Sequence, residues 1–267
     1  MAARLARTEV LYDDCWVHVI SRSIRKLEVF KDQEDFDVFC ELLINVKLEY
    51  KSKIFHYCLM QTHFHLAMRI STVEGFVRAM QKLKSRYVYK FHSKYKLSGP
   101  IWRERFRSLL IENESYLYAC GQYIENNPGK AGLVSKNTGW KYSSSRYYLR
   151  GENDPIVDGY EVIGLPQLPQ DVDLYTEESF EKGRVIGSSY FRFRFKEAHK
   201  VGKAFNSGCP HSETDPFSSL ERHRLRHPAR TDENIIYAFS DDKERWRWFR
   251  INYHAGDYKV ARRRDYG

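Results

Sequence analysis

Two histidines lie one residue apart in the stretch HYCLMQTHFHLAMRI, residues 56–70, which is otherwise largely apolar. In a β-strand, residues i and i+2 point to the same face, so His63 and His65 would project together while Phe64 faces the core. Two imidazoles on one face can share a divalent metal ion. The alternative is that each histidine simply hydrogen-bonds to a neighbour in the core. The pair is therefore a candidate metal site that lacks a third ligand.

The segment QYIENNPGKAGLV, residues 122–134, offers such a ligand. Tyr123 and Asn127 are four residues apart, so they share one face of a helix. A tyrosine beside a carboxamide on that face could supply a nucleophile and an oxygen ligand together. Spacing alone does not favour Tyr123 over Tyr116 or Tyr118, and Tyr123 could equally be an ordinary core residue of an amphipathic helix.

A basic and aromatic segment runs from Lys82 to Arg107. It holds nine Lys and Arg residues, one acid, Glu104, and six interleaved aromatic residues. Cations that follow phosphates and rings that stack on unpaired bases are what a groove for single-stranded nucleic acid needs. The alternative is a solvated basic helix whose rings belong to the core, and for part of these rings we expect that. The density of the pattern, and no one residue, carries the prediction.

The charge of the chain is unevenly distributed. The net charge is +9, and residues 1–150 carry 25 Lys and Arg against 15 Asp and Glu, whereas residues 151–267 carry 19 against 20. All the excess positive charge therefore lies in the first part of the chain. This predicts a polyanionic partner, with nucleic acid before an anionic membrane surface.

The elements that would position these residues alternate between strands and helices. Apolar alternation predicts strands, and 3.6-residue periodicity predicts helices between them. Gln61 and Thr62 separate two apolar runs, as in a tight hairpin. The pattern predicts an α+β fold with a central antiparallel sheet and helices packed on it. The predicted strands are residues 10–22, 53–60, 63–70 and 99–111, and the predicted helices are residues 31–51, 71–96 and 112–134.

Composition limits the class of protein. Hydrophobic residues make up 42% of the 267 residues, which excludes a disordered chain and leaves room for one large domain or a domain with an appendage. The sequence has no apolar run of membrane-spanning length and no apolar leader, so we expect a soluble cytoplasmic protein that does not bind a membrane. Five scattered cysteines with no CxxC pair argue against a cysteine zinc site.

Taken together, these residues resemble the single-tyrosine HUH transposases, and most closely the REP-associated tyrosine transposases. Five motifs occur in the family's order over residues 8–151. The similar motifs are HVISR at 18–22, YCLMQTHFHLA at 57–67, GPIWRERFRS at 99–108, YLYACGQYIENNPGKAGLV at 116–134 and WKYSSSRYYLRG at 140–151. The departures are Ser23-Ile24, Gln61-Thr62 and Gly129-Lys130, none of which removes a presumed catalytic group.

The resemblance implies an HUH-endonuclease fold, of the ferredoxin or RRM type, and assigns roles to residues. It implies Tyr123 as the nucleophile and His63, His65 and Asn127 as ligands of Mg²⁺ or Mn²⁺. The implied reaction nicks and rejoins single-stranded hairpin DNA through a 5′-phosphotyrosine intermediate, without ATP. Candidate DNA contacts are Arg22, Lys82, Lys84, Arg86, Tyr87, Lys90, Arg103, Arg105 and Arg107.

Two alternatives remain open from the sequence. One is a rolling-circle HUH initiator, and the other is a domesticated hairpin-binding module that no longer cleaves DNA. Longer relatives of this type favour a monomer over a homodimer. We expect the protein to act at the nucleoid of a bacterial cytoplasm. We expect residues 8–151 to form the transposase domain, 152–170 a linker and 171–267 an extension of unknown role, whose basic tail could clamp DNA or cover the active site.

Overall fold

A five-stranded sheet organises the chain. The computed structural model describes residue 7 and residues 10–160, 184–200, 250–251 and 260–261. The strand order of the sheet is β2-β3-β1-β4-β5. The first four strands pair antiparallel, as predicted, whereas β5 runs parallel to β4. The strands, including a separate pair β6 and β7, are β1 (Trp16–Arg22), β2 (Lys53–Met60), β3 (His63–Arg69), β4 (Arg107–Ile111), β5 (Val185–Ile186), β6 (Arg250–Ile251) and β7 (Val260–Ala261).

Side chains cap the N-termini of the first three helices. Asp32 and Asp35 form a reciprocal capping box at the first helix, Thr72 accepts from the Gly75 N–H at the second, and Asn113 accepts from the Tyr116 N–H at the third. Each cap satisfies a backbone donor that the helix leaves unpaired. The helices are α1 (Gln33–Glu49), α2 (Val73–Tyr95), α3 (Glu114–Glu125), α4 (Asn127–Lys130), α5 (Ser145–Arg150) and α6 (Ser189–Lys200). Within the described residues, no helix is both long and apolar enough to cross a membrane.

The sheet buries both of its faces, each against different helices. Alternate residues of β1 point to opposite sides, so Val17 and Val19 join the core that includes Phe39 of α1 and residues of α2. Trp16 and Ile20 point the other way, into the core that contains Leu117, Tyr123 and other residues of α3. The helix that carries the predicted nucleophile therefore covers the face of the sheet to which the even-numbered residues of β1 point.

Residues 152–160, which we call the strap, pack against β2. The backbone N–H of Asp158 donates to the Ile54 carbonyl at 2.7 Å, and its carboxylate accepts from the Ile54 N–H at 2.8 Å. The same carboxylate pairs with the buried ammonium of Lys47 at 2.9 Å. Tyr160 ends the strap and is 3% exposed. The first half of the predicted linker is thus bound to the domain, and residues 161–170 lie outside the described part of the chain.

Part of the predicted C-terminal extension joins the same sheet. β5 pairs with β4, and the Ser188 N–H and hydroxyl both donate to the Glu112 carboxylate, at 2.6 and 3.1 Å. Phe191 and Phe195 of α6 are buried in the core shared with α1 and α2. The predicted domain boundary at residue 151 stays a prediction, but packing continues beyond it. The basic tail residues 245–264 lie outside the described residues except for β6 and β7.

Candidate active site

Strand register places the two histidines of β3 on the face that α3 covers. In the pairing of β1 with β3, His63 lies opposite Arg22 and His65 lies opposite Ile20. The ring centroids of His63 and His65 are 5.1 Å apart. His18 of β1 points to the same face, and its ring centroid is 5.3 Å from that of His65. Three imidazoles therefore meet on one side of the sheet, as the alternation of the strands requires.

His65 presents one ring nitrogen that has no hydrogen-bond partner within the described residues. Its Nδ1 lies 3.0 Å from Nε2 of His18, and its buried Nε2 is unbonded. Burial lowers the pKa of His65 well below its usual value, so the ring is neutral at physiological pH. A neutral ring that keeps its proton on Nδ1 and donates it to His18 leaves the Nε2 lone pair available to a metal ion.

His63 is neutral for the same physical reason. Burial, and then the nearby Arg22 guanidinium, lowers the pKa of His63 to about 4. Its Nδ1 lies 3.0 Å from the hydroxyl of Thr62, in the turn between β2 and β3. Neutral imidazole is the form that binds metal ions. Both histidines of the hairpin are therefore in the protonation state that a metal site needs.

Tyr123 lies beside this histidine cluster. Its ring centroid is 6.1 Å from that of His65 and 6.2 Å from that of His18, with the rings nearly perpendicular in both pairs. Tyr118 instead lies 6.4 Å from the ring of His56 and 6.1 Å from that of Tyr160. Of Tyr118 and Tyr123, Tyr123 is therefore the one that these ring contacts join to the cluster.

Asn127 begins α4, and the last turn of α3 orients its side chain. Its Nδ2 donates to the carbonyls of Tyr123 and Ile124, at 2.9 and 3.2 Å. Since a carbonyl can only accept, the amide nitrogen must be the atom that faces the backbone, which directs Oδ1 away from it. Asn127 is 8% exposed. An amide oxygen held in this way is a ligand that Mg²⁺ and Mn²⁺ accept.

The candidate donors are of the chemical types that bind a divalent metal ion. Within the described residues, no group of three or more His, Cys, Asp or Glu side chains is arranged to hold a metal. The candidate set combines two imidazoles with an amide oxygen. The unbonded, buried Nε2 of His65 is the observation that favours a ligand at this place, because such a nitrogen costs free energy when it has no partner.

A basic groove borders the histidine cluster. It has a volume of about 210 Å³ and contains four arginines and one acid. Arg22, opposite His63 in the sheet, belongs to it, and Arg107 of β4 lies opposite Ile20. Arg22 therefore links the groove to the strand position beside His63. It is lined by Ile20, Ser21, Arg22, Arg103, Glu104, Arg105 and Arg107.

Comparison with known proteins decides the family. Residues 11–127 match the family described as Transposase IS200 like. A curated REP-associated tyrosine transposase from Haemophilus influenzae is 30% identical over 125 residues, which cover 40% of this chain and 70% of that protein. This chain belongs to the REP-associated tyrosine transposases. The matched residues of the IS200-like family include the whole histidine hairpin and α3.

Two solved structures resemble this transposase more distantly. A REP-associated tyrosine transposase bound to a REP hairpin is 20% identical, with a TM-score of 0.46 over 60% of this chain and 92% of that one. A transposase from Deinococcus radiodurans is also 20% identical, with a TM-score of 0.31 over 46% of this chain and 97% of that one.

The structure divides the predicted DNA contacts of the transposase into two groups. Arg22, Arg103, Arg105 and Arg107 line the groove beside the histidines. The cations of α2 belong to a helix that packs on the opposite face of the sheet. Among these α2 residues, Lys82 pairs with Glu49 at 2.6 Å, Lys84 donates to the Glu104 carbonyl at 2.9 Å, and Arg86 and Lys90 are exposed. Burial lowers the pKa of Lys84 to about 8.

The structure corrects the prediction that Tyr87 contacts DNA. Its side chain is 1% exposed, and its hydroxyl donates to the carbonyl of Val29 in the core beneath α2. The ring packs against Phe30 and Phe39, with centroids 5.3 and 5.1 Å away. A ring enclosed in this way cannot stack on a base, so the prediction for Tyr87 is wrong.

Sequence reasoning missed two polar residues that the fold brings to this region. His18 contacts His65 across 47 positions of sequence. The alternation of Trp16, His18 and Ile20 along β1 could have indicated this contact, because it places the His18 imidazole on the face that α3 covers. His56 precedes the histidine pair by seven positions, and no spacing pattern links it to Glu125, with which it bonds.

Proposed function

We propose that this transposase is a metal-dependent endonuclease and strand transferase for single-stranded DNA. It nicks and rejoins hairpin-containing DNA through a 5′-phosphotyrosine intermediate on Tyr123. The observation that carries the proposal is the position of the Tyr123 ring, 6.1 Å from His65, whose buried Nε2 has no hydrogen-bond partner within the described residues. A nucleophile and a vacant ligand atom on facing elements are the parts that a metal-assisted phosphoryl transfer needs.

The tyrosine hydroxyl performs the covalent step. The Oη of Tyr123 attacks the scissile phosphorus, a P–Oη bond forms, and the bond from phosphorus to the 3′ oxygen breaks. The tyrosine proton passes to water, and the departing 3′ oxygen takes up a proton to become a hydroxyl. Because one phosphodiester replaces another, a 3′ hydroxyl can reverse the step on a new 5′ end without ATP. The free phenol has a pKa near 10, so this attack needs assistance.

Several side chains around Tyr123 can assist this attack. His63, His65 and Asn127 would hold Mg²⁺ or Mn²⁺, which when bound neutralises charge on the phosphate and on the departing oxygen. Arg22 lies next to His63 in the sheet and can bind a flanking phosphate. Lys130 holds its ammonium 4.9 Å from the centre of the Tyr123 ring. A cation at this place also favours the negative charge that develops on the tyrosine oxygen as its proton leaves.

The low exposure of the nucleophile supports an unpaired strand as the substrate. Tyr123 is 5% exposed, and a stacked duplex presents its backbone to such a recessed hydroxyl less readily than a single strand does. An unpaired strand can follow the arginine groove, with a neighbouring hairpin for recognition. Because α3 covers β2 and β3 of its own chain, we propose that a monomer uses its own tyrosine. We also propose that it acts at the nucleoid of the bacterial cytoplasm.

Mass spectrometry of the covalent adduct tests the proposed function. The protein is incubated with Mn²⁺ and a hairpin oligonucleotide that carries a single-stranded foot and a 3′ label. We expect a labelled adduct that survives denaturation and, after proteolysis, a nucleotide attached to Tyr123. An adduct on Tyr116 or Tyr118, or cleavage products without any adduct, would contradict the mechanism. Hairpin binding without cleavage would support the domesticated binding module instead.

The groove arginines should contribute more to DNA binding than the cations of α2. We compare the double variant R103A/R105A with R86A/K90A, because each removes two exposed positive charges. Each phosphate contact to a single strand contributes about 0.7 to the slope of log affinity against log salt, so the groove variant should lose about 1.4. We expect roughly tenfold weaker hairpin binding for this variant at moderate salt, or about 1.4 kcal/mol.

The α2 variant is the matched control for this measurement. Fluorescence anisotropy of a labelled hairpin at several salt concentrations gives both the affinity and its slope. Equal losses in the two double variants would show that the strand does not follow the groove, and a larger loss in R86A/K90A would place it on α2.

A further inference from the structure

A buried polar network joins the last turn of α3 to His56 of β2, on the same face of the sheet as the histidine pair. The carboxylate of Glu125 lies 2.8 Å from Nδ1 of His56 and accepts from the Ser144 hydroxyl at 2.7 Å. Nε2 of His56 lies 2.7 Å from the Tyr160 hydroxyl. All four residues are less than 10% exposed. Hydrogen bonds to a charged group in a buried site are about twice as strong as neutral ones, so this network resists displacement.

Glu125 follows Tyr123 by two residues on the same helix. A separation of two residues turns the side chain by about 200°, so the two residues leave the helix on different sides. Fixing Glu125 therefore fixes both the rotation and the axial position of Tyr123. A shift by one residue along the axis would move Tyr123 by about 1.5 Å. A misplacement of about 1 Å at a reacting group can cost a reaction about 100-fold in rate.

Gly121 allows the helix to approach His56 closely. A Cβ atom at this position would lie 2.3 Å from the His56 ring, which is shorter than any tolerated contact. His56 is held from both of its nitrogens and stacks on Tyr148, with ring centroids 4.7 Å apart. The ring therefore has no room to move away. The contact between α3 and β2 is built around a glycine on one side and a fixed imidazole on the other.

Two members of the network lie beyond the residues that the family match covers. That match ends at residue 127, whereas Ser144 and Tyr160 follow it. Tyr160 is held in place by the strap, whose Asp158 pairs with Lys47 and with the Ile54 backbone. Ordering of the strap thus fixes the hydroxyl that bonds to His56.

We propose that His56, Glu125 and Tyr160 are positioning residues that hold the nucleophile helix in register with the histidine pair. This inference rests on the proposed function of Tyr123. The network keeps the Tyr123 hydroxyl at its reacting distance before DNA arrives. The strap, outside the matched family residues, thereby sets the rate of the covalent step without touching DNA.

The substitution Tyr160→Phe tests this role, and Tyr148→Phe is its matched control. Both rings lie beside that of His56, Tyr160 buried and Tyr148 partly buried, but the Tyr148 hydroxyl donates to the Phe55 carbonyl and not to the network. For Tyr160→Phe we expect kcat for adduct formation to fall about tenfold with KM for the hairpin unchanged. For Tyr148→Phe we expect kcat within about twofold of wild type. The outcome that overturns the proposal is an equal kcat in both variants, or a change confined to KM.

Substitutions of Glu125 provide an independent comparison. Glutamine keeps the oxygen that accepts from His56 and Ser144, whereas alanine removes it. We expect E125A to lower kcat about 100-fold and E125Q to restore most of that loss. In hydrogen exchange, E125A should lower the protection of amides 120–126 while those of α1 keep theirs. Unchanged kcat and unchanged protection in E125A would overturn the proposal.

The wild-type protein separates this inference from the proposed function. If wild type forms no adduct with Mn²⁺ and the hairpin, the proposed function fails. Hydrogen exchange then decides the structural part of the inference, because protection of α3 does not depend on activity. If wild type forms the adduct and the network variants match it, only the positioning role fails.

Discussion

Replacing Tyr123 with phenylalanine is expected to abolish the covalent adduct and to lower hairpin cleavage by at least about 10³-fold. Phenylalanine keeps the ring that packs against His65 and His18, so the change removes the nucleophilic oxygen while these ring contacts stay. Cleavage is followed on a 3′-labelled hairpin with Mn²⁺, and the adduct is followed on a denaturing gel. Hairpin affinity should stay within about twofold of wild type, because the proposed strand contacts lie in the arginine groove.

Tyr118→Phe is the control for this experiment. Tyr118 lies on the same helix, but its ring neighbours are His56 and Tyr160 and not the histidine pair. We expect Tyr118→Phe to form the adduct at nearly the wild-type rate. Equal cleavage by Tyr123→Phe and wild type would exclude the nucleophilic mechanism and favour a binding module or a different catalytic tyrosine.

The sequence predicted the parts of the site that depend on local periodicity. Alternation along β3 places His63 and His65 on one face, and the four-residue spacing puts Tyr123 and Asn127 on one side of their helix region. Gln61 and Thr62 indicated the hairpin, and the structure has β2 and β3 on either side of them. These features follow from geometry within about ten residues, which a single sequence contains.

The sequence could not predict the contacts that join distant segments. His56 and Glu125 are 69 residues apart, and Tyr160 is 104 residues from His56. Neither separation has a periodic signature, since both depend on how α3 and the strap pack on β2. The prediction that Tyr87 contacts DNA was wrong for a related reason. Its place in a basic segment indicated an exposed ring, but the apolar stripe of α2 carries it into the core.

The loss of His65 is the second large effect that we expect. His65→Ala removes the buried Nε2 that has no hydrogen-bond partner within the described residues. If that nitrogen binds the metal, its removal should raise the Mn²⁺ concentration for half-maximal cleavage at least about tenfold and lower the rate about 100-fold. Chelation with EDTA should likewise stop cleavage by wild type, and added Mn²⁺ should restore it.

His92→Ala is the matched control, because His92 lies on α2 and α2 packs against the other face of the sheet. Calorimetric titration with Mn²⁺ gives a second readout that does not depend on cleavage. If His65 is a ligand, Mn²⁺ binding is weaker in His65→Ala than in wild type, and Mn²⁺ binding by His92→Ala is unchanged. If His65→Ala binds Mn²⁺ and cleaves DNA as wild type does, the metal assignment is contradicted. The role of Tyr123 would then have to be explained by the surrounding cations, of which Arg22 and Lys130 are candidates.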